Sequence, residues 1–132
     1  MPTIKNATLT ISTDRPQDRA AVVVSCDIEF TDVEVNAMNI LGLRYTLNCR
    51  VLNKYLLDED AVVTYGHHSY PRYASDARRY ERAVFDTNVP MTDLNERLFG
   101  KDTLVAELTL KNEETGEQVV ERTEEVSVDL AA

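Results

Sequence analysis

Apolar and polar side chains alternate at every second position along much of this chain, and that alternation constrains its fold more than any other feature. In the longest example, residues 20–30, one side of the segment carries these apolar residues: Ala20, Val22, Val24, Cys26, Ile28 and Phe30. Successive side chains of a β-strand point to opposite faces, so the pattern is typical of a strand with one face in a core and the other in solvent. We therefore expect a chain built from half-buried antiparallel strands.

The same alternation predicts further strands. They cover residues 7–11, 43–51, 60–65, 80–89, 103–111 and 118–130. In the last of them, continuing the apolar phase backwards would turn Arg122 and Glu124 inward, so we expect a bulge or a strand break near them. Residues 113–116 (EETG) have the composition of a hairpin turn, with Gly116 where a positive φ is needed.

Helix signals are confined to the segment after Pro90. They predict one short helix near residues 92–99, capped by Thr92 and followed by Gly100. Many strands and one small helix describe an all-β protein, which we predict to be a two-sheet antiparallel β-sandwich forming a single domain over residues 1–132. In strand count and spacing it resembles the immunoglobulin-like and fibronectin type III architectures. A likeness at this level does not transfer function.

Composition excludes several classes of protein. The 132 residues are 43% hydrophobic and 28% charged, which is globular rather than disordered. The longest unbroken apolar run, residues 20–24, is too short to span a membrane. The formal net charge of −9 argues against nucleic acid or an acidic membrane as partner, because phosphate groups repel it.

The N-terminus has no leader pattern, so we expect a soluble cytoplasmic protein, or a component of an assembly exported without a leader.

The two cysteines, Cys26 and Cys49, both fall on the apolar sides of predicted strands. If those strands form a hairpin around residues 31–42, the two thiols lie nearly opposite each other. Bridges between adjacent strands are sterically awkward, and nothing in the sequence indicates an oxidising compartment. We therefore predict two buried free thiols, with a disulfide as the alternative.

Residues 65–82 (YGHHSYPRYASDARRYER) differ from the rest of the chain. They contain both histidines, four of the six tyrosines and four arginines. Tyrosine and arginine are enriched at the hot spots of interfaces, and loops on a rigid sheet often carry binding residues. We predict a recognition surface for acidic or aromatic groups, with these binding residues: Tyr70, Arg72, Tyr73, Arg78 and Arg79. The alternative is a connection whose arginines neutralise the chain's own carboxylates.

A second unusual segment, residues 36–42 (NAMNILG), is more apolar than an exposed loop should be. We interpret it as a loop in which Met38 and Ile40 contact another chain, through a protein partner or self-association. The alternative is that the loop closes the open end of the sandwich.

Motifs of catalysis and metal binding are missing from the sequence. It contains no GxSxG, no glycine-rich phosphate loop and no HExxH, and the acidic residues 58–60 lack the spacing of a calcium loop. We therefore expect no metal, no cofactor and a non-enzymatic structural or interaction module that acts through protein–protein contacts in a larger assembly or a homo-oligomer. The alternative is a small-molecule or carbohydrate-binding domain, or an enzyme, with a pocket lined by Tyr70, Tyr73 and His68.

Overall fold

Two antiparallel sheets face each other in the computed structural model, which describes residues 1–55, 58–95 and 100–130. In chain order the elements are β1 (Thr3–Asp14), β2 (Arg19–Glu29), α1 (Asp32–Leu41), β3 (Tyr45–Tyr55), β4 (Asp58–Thr64), β5 (His68–Tyr70), β6 (Tyr80–Pro90), α2 (Met91–Leu94), β7 (Asp102–Asn112), β8 (Gln118–Arg122) and β9 (Val126–Val128). One sheet has the order β1-β2-β6. The other has the order β4-β3-β7-β8, with β5 also paired to β3 and β9 to β7. The predicted all-β two-sheet sandwich is therefore confirmed, whereas its likeness to the immunoglobulin and fibronectin architectures stays a prediction.

The core lies between the two sheets and is built from the apolar sides of the alternating strands. Val22 and Val24 of β2 are fully buried, as are Leu47 of β3 and Leu108 of β7. Burying an aliphatic side chain of this size stabilises the fold by about 1.5–3 kcal/mol. The face assigned to the core from the alternation of residues 20–30 is the face that the structure buries.

The two cysteines lie in different sheets, because Cys26 belongs to β2 and Cys49 to β3. The two strands do not form the hairpin that would have placed the thiols opposite each other: β2 pairs with β1 and β6, and the intervening segment carries the chain to the other sheet. Both cysteines are free and buried, as predicted. Burial raises the pKa of Cys26 to about 11 and that of Cys49 to about 12, so both are held as thiols at neutral pH.

The segment that we interpreted as an apolar loop is part of helix α1, and that interpretation is wrong. The helix begins at a capping box in which Thr31 Oγ1 accepts the Glu34 N–H (3.2 Å) and Glu34 Oε1 accepts the Thr31 N–H (2.7 Å). It ends at Gly42, whose φ of 73° is left-handed and therefore favours glycine. Both signals are visible in the sequence, since Thr31 and Glu34 have the spacing of a capping box.

The helix after Pro90 is shorter than predicted in its described part. It spans Met91–Leu94, which places Thr92 inside the helix rather than at its cap, and Asn95 is already extended. Residues 96–99 of the predicted helix lie outside the described residues. Leu94 is fully buried, so the turn still packs an apolar side chain on the core.

The C-terminal run breaks where the sequence predicted a break. Strand β8 ends at Arg122 and β9 begins at Val126, while Thr123 between them turns inward and accepts the Ala106 N–H at 3.0 Å. The predicted hairpin turn is also confirmed, with Gly116 at a φ of 78°. Within the described residues, no helix has the length and apolar character needed to cross a membrane.

Candidate interaction surface

The segment from residue 65 to residue 82 is not one continuous loop. Strand β5 occupies its first part and β6 begins at Tyr80, so residues 71–79, named the 71–79 loop below, connect these two strands. The residue types that we assigned to one recognition surface therefore divide between a strand that pairs with β3 and a loop that reaches solvent.

The first part of the segment belongs to the core. Tyr70 pairs with Tyr45 across β5 and β3, is 1% exposed and lies 5.9 Å from the ring of Phe30. His68 stacks on Phe85 with a centroid distance of 4.2 Å. Burial raises the pKa of Tyr70 to about 12 and lowers the pKa of His68. Because its ring is buried, Tyr70 has no face to offer a partner, and the surface described below does not include it.

The 71–79 loop carries the exposed members of the predicted set. Tyr73 is 73% exposed, and the side chains of Arg72, Arg78 and Arg79 are all at least 46% exposed. Each arginine also faces a carboxylate of the same chain. The exposed part of the predicted recognition segment is therefore accessible to another protein. Its arginines already form long ion pairs, of 3.5 Å or more, within the chain.

Four ion pairs define the electrostatics of this loop. Arg72 lies 3.7 Å from Glu81, and Arg78 lies 3.5 Å from Asp76. Arg79 lies between two carboxylates, which are those of Glu29 at 3.9 Å and Asp32 at 3.8 Å. Exposed pairs of this kind contribute at most about 1 kcal/mol each, so a partner's carboxylate can compete for the guanidinium groups.

The other two residues predicted to contact another chain, Met38 and Ile40, lie on opposite faces of helix α1. Ile40 is 77% exposed, whereas Met38 is 3% exposed and packs in the core. Residues two apart lie on the same side of an extended segment but about 200° apart around a helix, since each residue turns by about 100°. Ile40 is thus on the surface as predicted, and Met38 is a core residue.

The outward face of α1 carries three exposed aliphatic side chains, with the exposed Asn36 between the first and the other two. Val33, Ile40 and Leu41 are 77%, 77% and 78% exposed. Their spacings of seven and eight residues place them on one face, and Ala37 lies on the same face, partly buried. The helix therefore has apolar side chains on both of its faces, one of which is covered by the core.

Helix α1 and the 71–79 loop lie side by side. The Ala77 N–H donates to Asn39 Oδ1 at 2.8 Å, and Arg79 pairs with Asp32 in the first turn of the helix. The two segments that the sequence marked separately thus form one area, named the α1–loop surface below. Its exposed members are Val33, Ile40, Leu41, Tyr73, Arg78 and Arg79.

A shallow depression of about 440 Å³ lies on the outer face of the β1-β2-β6 sheet and was not predicted. Tyr80 forms one wall, and two ion pairs cross the floor: Lys5 with Glu29 at 2.6 Å and Arg82 with Asp27 at 3.0 Å. Hydrogen bonds from Asn6 and Arg82 lower the pKa of Asp27, and the hydrogen bond from Lys5 lowers that of Glu29. The sequence feature that could have indicated this site is the polar side of β2, which carries both carboxylates, Asp27 and Glu29.

Metal binding has no structural support in the part of the chain that is described. No group of three or more histidine, cysteine or acidic side chains there is arranged to hold a metal ion.

Comparisons with known proteins add little. No protein-family model matches the sequence, and neither does any curated protein. The chain is similar to a crystal structure from Bordetella pertussis provisionally named ApaA, with 10% identity and a TM-score of 0.45 over 97% of this chain and 92% of that one. It is also similar to the X-ray structure of another structural genomics target, with 8% identity and a TM-score of 0.43 over 96% of this chain and 84% of that one. Likenesses this weak carry no argument about function.

Proposed function

We infer that this chain is a non-enzymatic module that works through protein–protein contacts, within a larger assembly or as a homo-oligomer, and that the α1–loop surface makes the contact. The observation that carries this proposal is the exposure of Val33, Ile40 and Leu41, each more than three quarters in solvent on one helix face. A surface helix of a monomer normally presents polar residues on its outward face. An apolar outward face is typical of a site that another protein covers.

The surroundings of the apolar face support a partner with carboxylates. Tyr73, Arg78 and Arg79 flank α1 through the 71–79 loop. The ion pairs of the two arginines are 3.5 Å or longer, and the Arg79 guanidinium also lies over the Tyr80 ring at 5.6 Å. Guanidinium groups form bidentate contacts with carboxylates and stack on aromatic rings. The partner that fits is therefore a protein segment with an apolar centre and acidic or aromatic groups beside it.

The test removes the apolar face without disturbing the helix. In Ile40→Gln/Leu41→Gln, glutamine keeps a good helix propensity while the aliphatic surface is lost. The matched control is Val120→Gln. It changes a valine that is 52% exposed on β8, in the β4-β3-β7-β8 sheet. The partner is first identified by affinity purification from the native source, and its binding to purified wild-type and variant chains is then measured by calorimetry.

The proposal expects the double variant to lose at least about tenfold in affinity, since loss of hot-spot side chains costs more than about 1 kcal/mol each. The control should bind like the wild type. Unchanged binding by a double variant that unfolds at the wild-type temperature would overturn the assignment of this surface.

The alternative function is binding of a small molecule or carbohydrate. One of its predicted pocket residues, Tyr70, is buried in the core, and a second, His68, is partly buried and stacks on Phe85. The depression beside Tyr80 is the feature of the structure that favours ligand binding, because the exposed ring of Tyr80 adjoins polar side chains. Aromatic stacking on Tyr80 would alter tyrosine fluorescence, and the chain has no tryptophan to mask that signal. A screen of oligosaccharides against wild type and Tyr80→Ala would detect such binding. The cytoplasmic location and the absence of a cofactor stay predictions.

A further inference from the structure

Strand β6 is an end strand of the β1-β2-β6 sheet and pairs with β2 along one side only. In the described part of the chain no strand pairs with its other side. An uncovered strand edge offers unpaired N–H and C=O groups to another strand. Strand β6 spans eleven residues, which makes this edge long.

Two backbone hydrogen bonds identify which groups face that edge. At one end of the β2–β6 ladder the Phe30 N–H donates to the Arg79 carbonyl at 2.7 Å, and at the other the Met91 N–H donates to the Asp18 carbonyl at 3.0 Å. Antiparallel ladders alternate, so the odd-numbered residues of β6 direct their backbone groups to β2 and the even-numbered residues direct theirs outward. Pro90, which has no N–H, is at an even-numbered position, so its presence removes no hydrogen bond between β6 and β2.

The even-numbered side chains are self-complementary. If a second, antiparallel β6 places Val84 opposite Val84, then Arg82 of each copy faces Asp86 of the other, because both lie two residues from the centre. Arg82 also pairs with Asp27 of its own chain at 3.0 Å, so its guanidinium would bridge two carboxylates. Val84 is 48% exposed and supplies an apolar contact on the two-fold axis. Asp86 is exposed and has no ion pair within the described residues. Centring the pair on Ala83 or Phe85 instead separates the opposite charges.

We propose that β6 pairs edge to edge with β6 of a second copy of this chain, giving a two-fold dimer in which the two β1-β2-β6 sheets become one continuous sheet. This edge adjoins the α1–loop surface, since Arg79 lies over the Tyr80 ring at 5.6 Å, but its centre at Val84 is not part of that surface, so the proposal does not rest on the proposed function. Cross-strand pairs of opposite charge stabilise a sheet, and the Arg82–Asp86 pair occurs twice by symmetry.

One end strand of the other sheet, β4, carries charges that oppose such pairing. Strand β4 begins with three exposed carboxylates, those of Asp58, Glu59 and Asp60, which would face like charges in a self-paired edge. On β6 itself the far end is closed, since Arg19 Nη2 donates to the Asn88 carbonyl at 2.8 Å. The open window is therefore residues 80–86, and its centre is close to Val84.

A charge exchange tests the register directly. Asp86→Arg places arginine opposite Arg82, and Arg82→Asp places aspartate opposite Asp86, so each variant alone should be monomeric by sedimentation velocity. A mixture of the two variants restores opposite charges at both positions and should sediment as a heterodimer. We expect the dissociation constant of each variant alone to rise by about tenfold or more, measured near 0.15 M salt to screen the repulsion between two acidic chains.

A second pair of variants controls for misfolding. Val84→Lys places two ammonium groups on the two-fold axis and should give monomers, whereas Val120→Lys, an equally exposed valine on β8, should leave the dimer intact. Ile40→Gln/Leu41→Gln should also leave it intact, which separates this interface from the α1–loop surface. A wild-type chain that stays monomeric at high micromolar concentration overturns the proposal, and so does a dimer that survives Asp86→Arg or a mixture that fails to associate.

Discussion

Residues 65–70 contain two tyrosines and both histidines, and residues 71–79 contain one tyrosine and three arginines, yet the structure places the two groups differently. The first group follows β4 and forms β5, and the pairing of Tyr70 with Tyr45 of β3 directs its ring into the core. The second group connects two strands in different sheets and has no ladder to join, so Tyr73 remains in solvent. Composition marks both groups as unusual, but strand pairing decides which of them is available for binding.

The largest effect expected from this contrast is on stability. Tyr70→Ala removes a buried ring and should lower the free energy of unfolding by about 3–5 kcal/mol, as for other large aromatic residues in cores. Tyr73→Ala should change it by less than about 0.5 kcal/mol, because its ring is exposed. Urea unfolding of both variants measures the difference, and equal losses would contradict the assignment of Tyr73 to the surface.

The two faces of α1 allow a second comparison of the same kind. Met38→Ala opens a cavity under the helix and should cost about 2–5 kcal/mol of unfolding free energy. Ile40→Ala, two residues further on, removes an exposed side chain and should cost less than about 0.5 kcal/mol. Thermal and urea unfolding provide the measurement. If Ile40→Ala were the more destabilising of the two, the helix would have to pack with its other face on the core.

His68 supplies a smaller, pH-dependent effect. Burial, with Arg72 and His67 nearby, lowers its pKa in the folded protein, so the unfolded chain binds the proton at a higher pH than the folded chain does. Stability therefore falls as the pH drops through the unfolded value of about 6.5, and the loss ends below the folded pKa. Urea unfolding at about pH 7.5 and about pH 5.5 should show a steeper decline for wild type than for His68→Gln.

The difference between the pH profiles of wild type and His68→Gln separates the titration of the histidine from that of the carboxylates. Glu81, whose pKa burial raises, titrates in both of them and cancels in the comparison. Asp27 and Glu29 have lowered pKa values and lose their charge at more acidic pH. Parallel pH profiles for wild type and His68→Gln would show that the ring does not titrate in this range.

Substitutions of the arginines in the 71–79 loop are expected to change partner binding more than stability. Arg78→Glu with Arg79→Glu breaks exposed pairs at 3.5–3.9 Å and should cost less than about 1 kcal/mol per residue. If these arginines belong to the contact surface, partner binding should weaken by one to a few kcal/mol. Calorimetry with the purified partner and a thermal melt measure the two quantities. Lost stability with unchanged binding would mean that the arginines only neutralise Glu29, Asp32 and Asp76.

Much of the secondary structure was predictable because its signals are local. Alternation at every second residue placed β2 and β7 and the buried face of each, and the phase conflict at Arg122 located the break before β9. Helix α1 had local signals as well, in the capping-box spacing of Thr31 and Glu34 and in Gly42. Interpreting residues 36–42 as a loop concealed the helix, because only a helical period shows which of these residues share a face.

Pairing between distant segments was determined only by the tertiary structure. Nothing in the alternation of β2 and β3 shows that they join different sheets, and their separation is what places Cys26 and Cys49 in opposite layers. The pairing of β5 with β3 buries Tyr70, and the contact of Asn39 with Ala77 joins α1 to the 71–79 loop. Alternation is a property of one strand, whereas a partner strand is chosen by packing and hydrogen bonding between residues far apart in sequence. For that reason the sequence alone determined the class of fold and its core faces, and the tertiary structure decided which unusual residues reach the surface together.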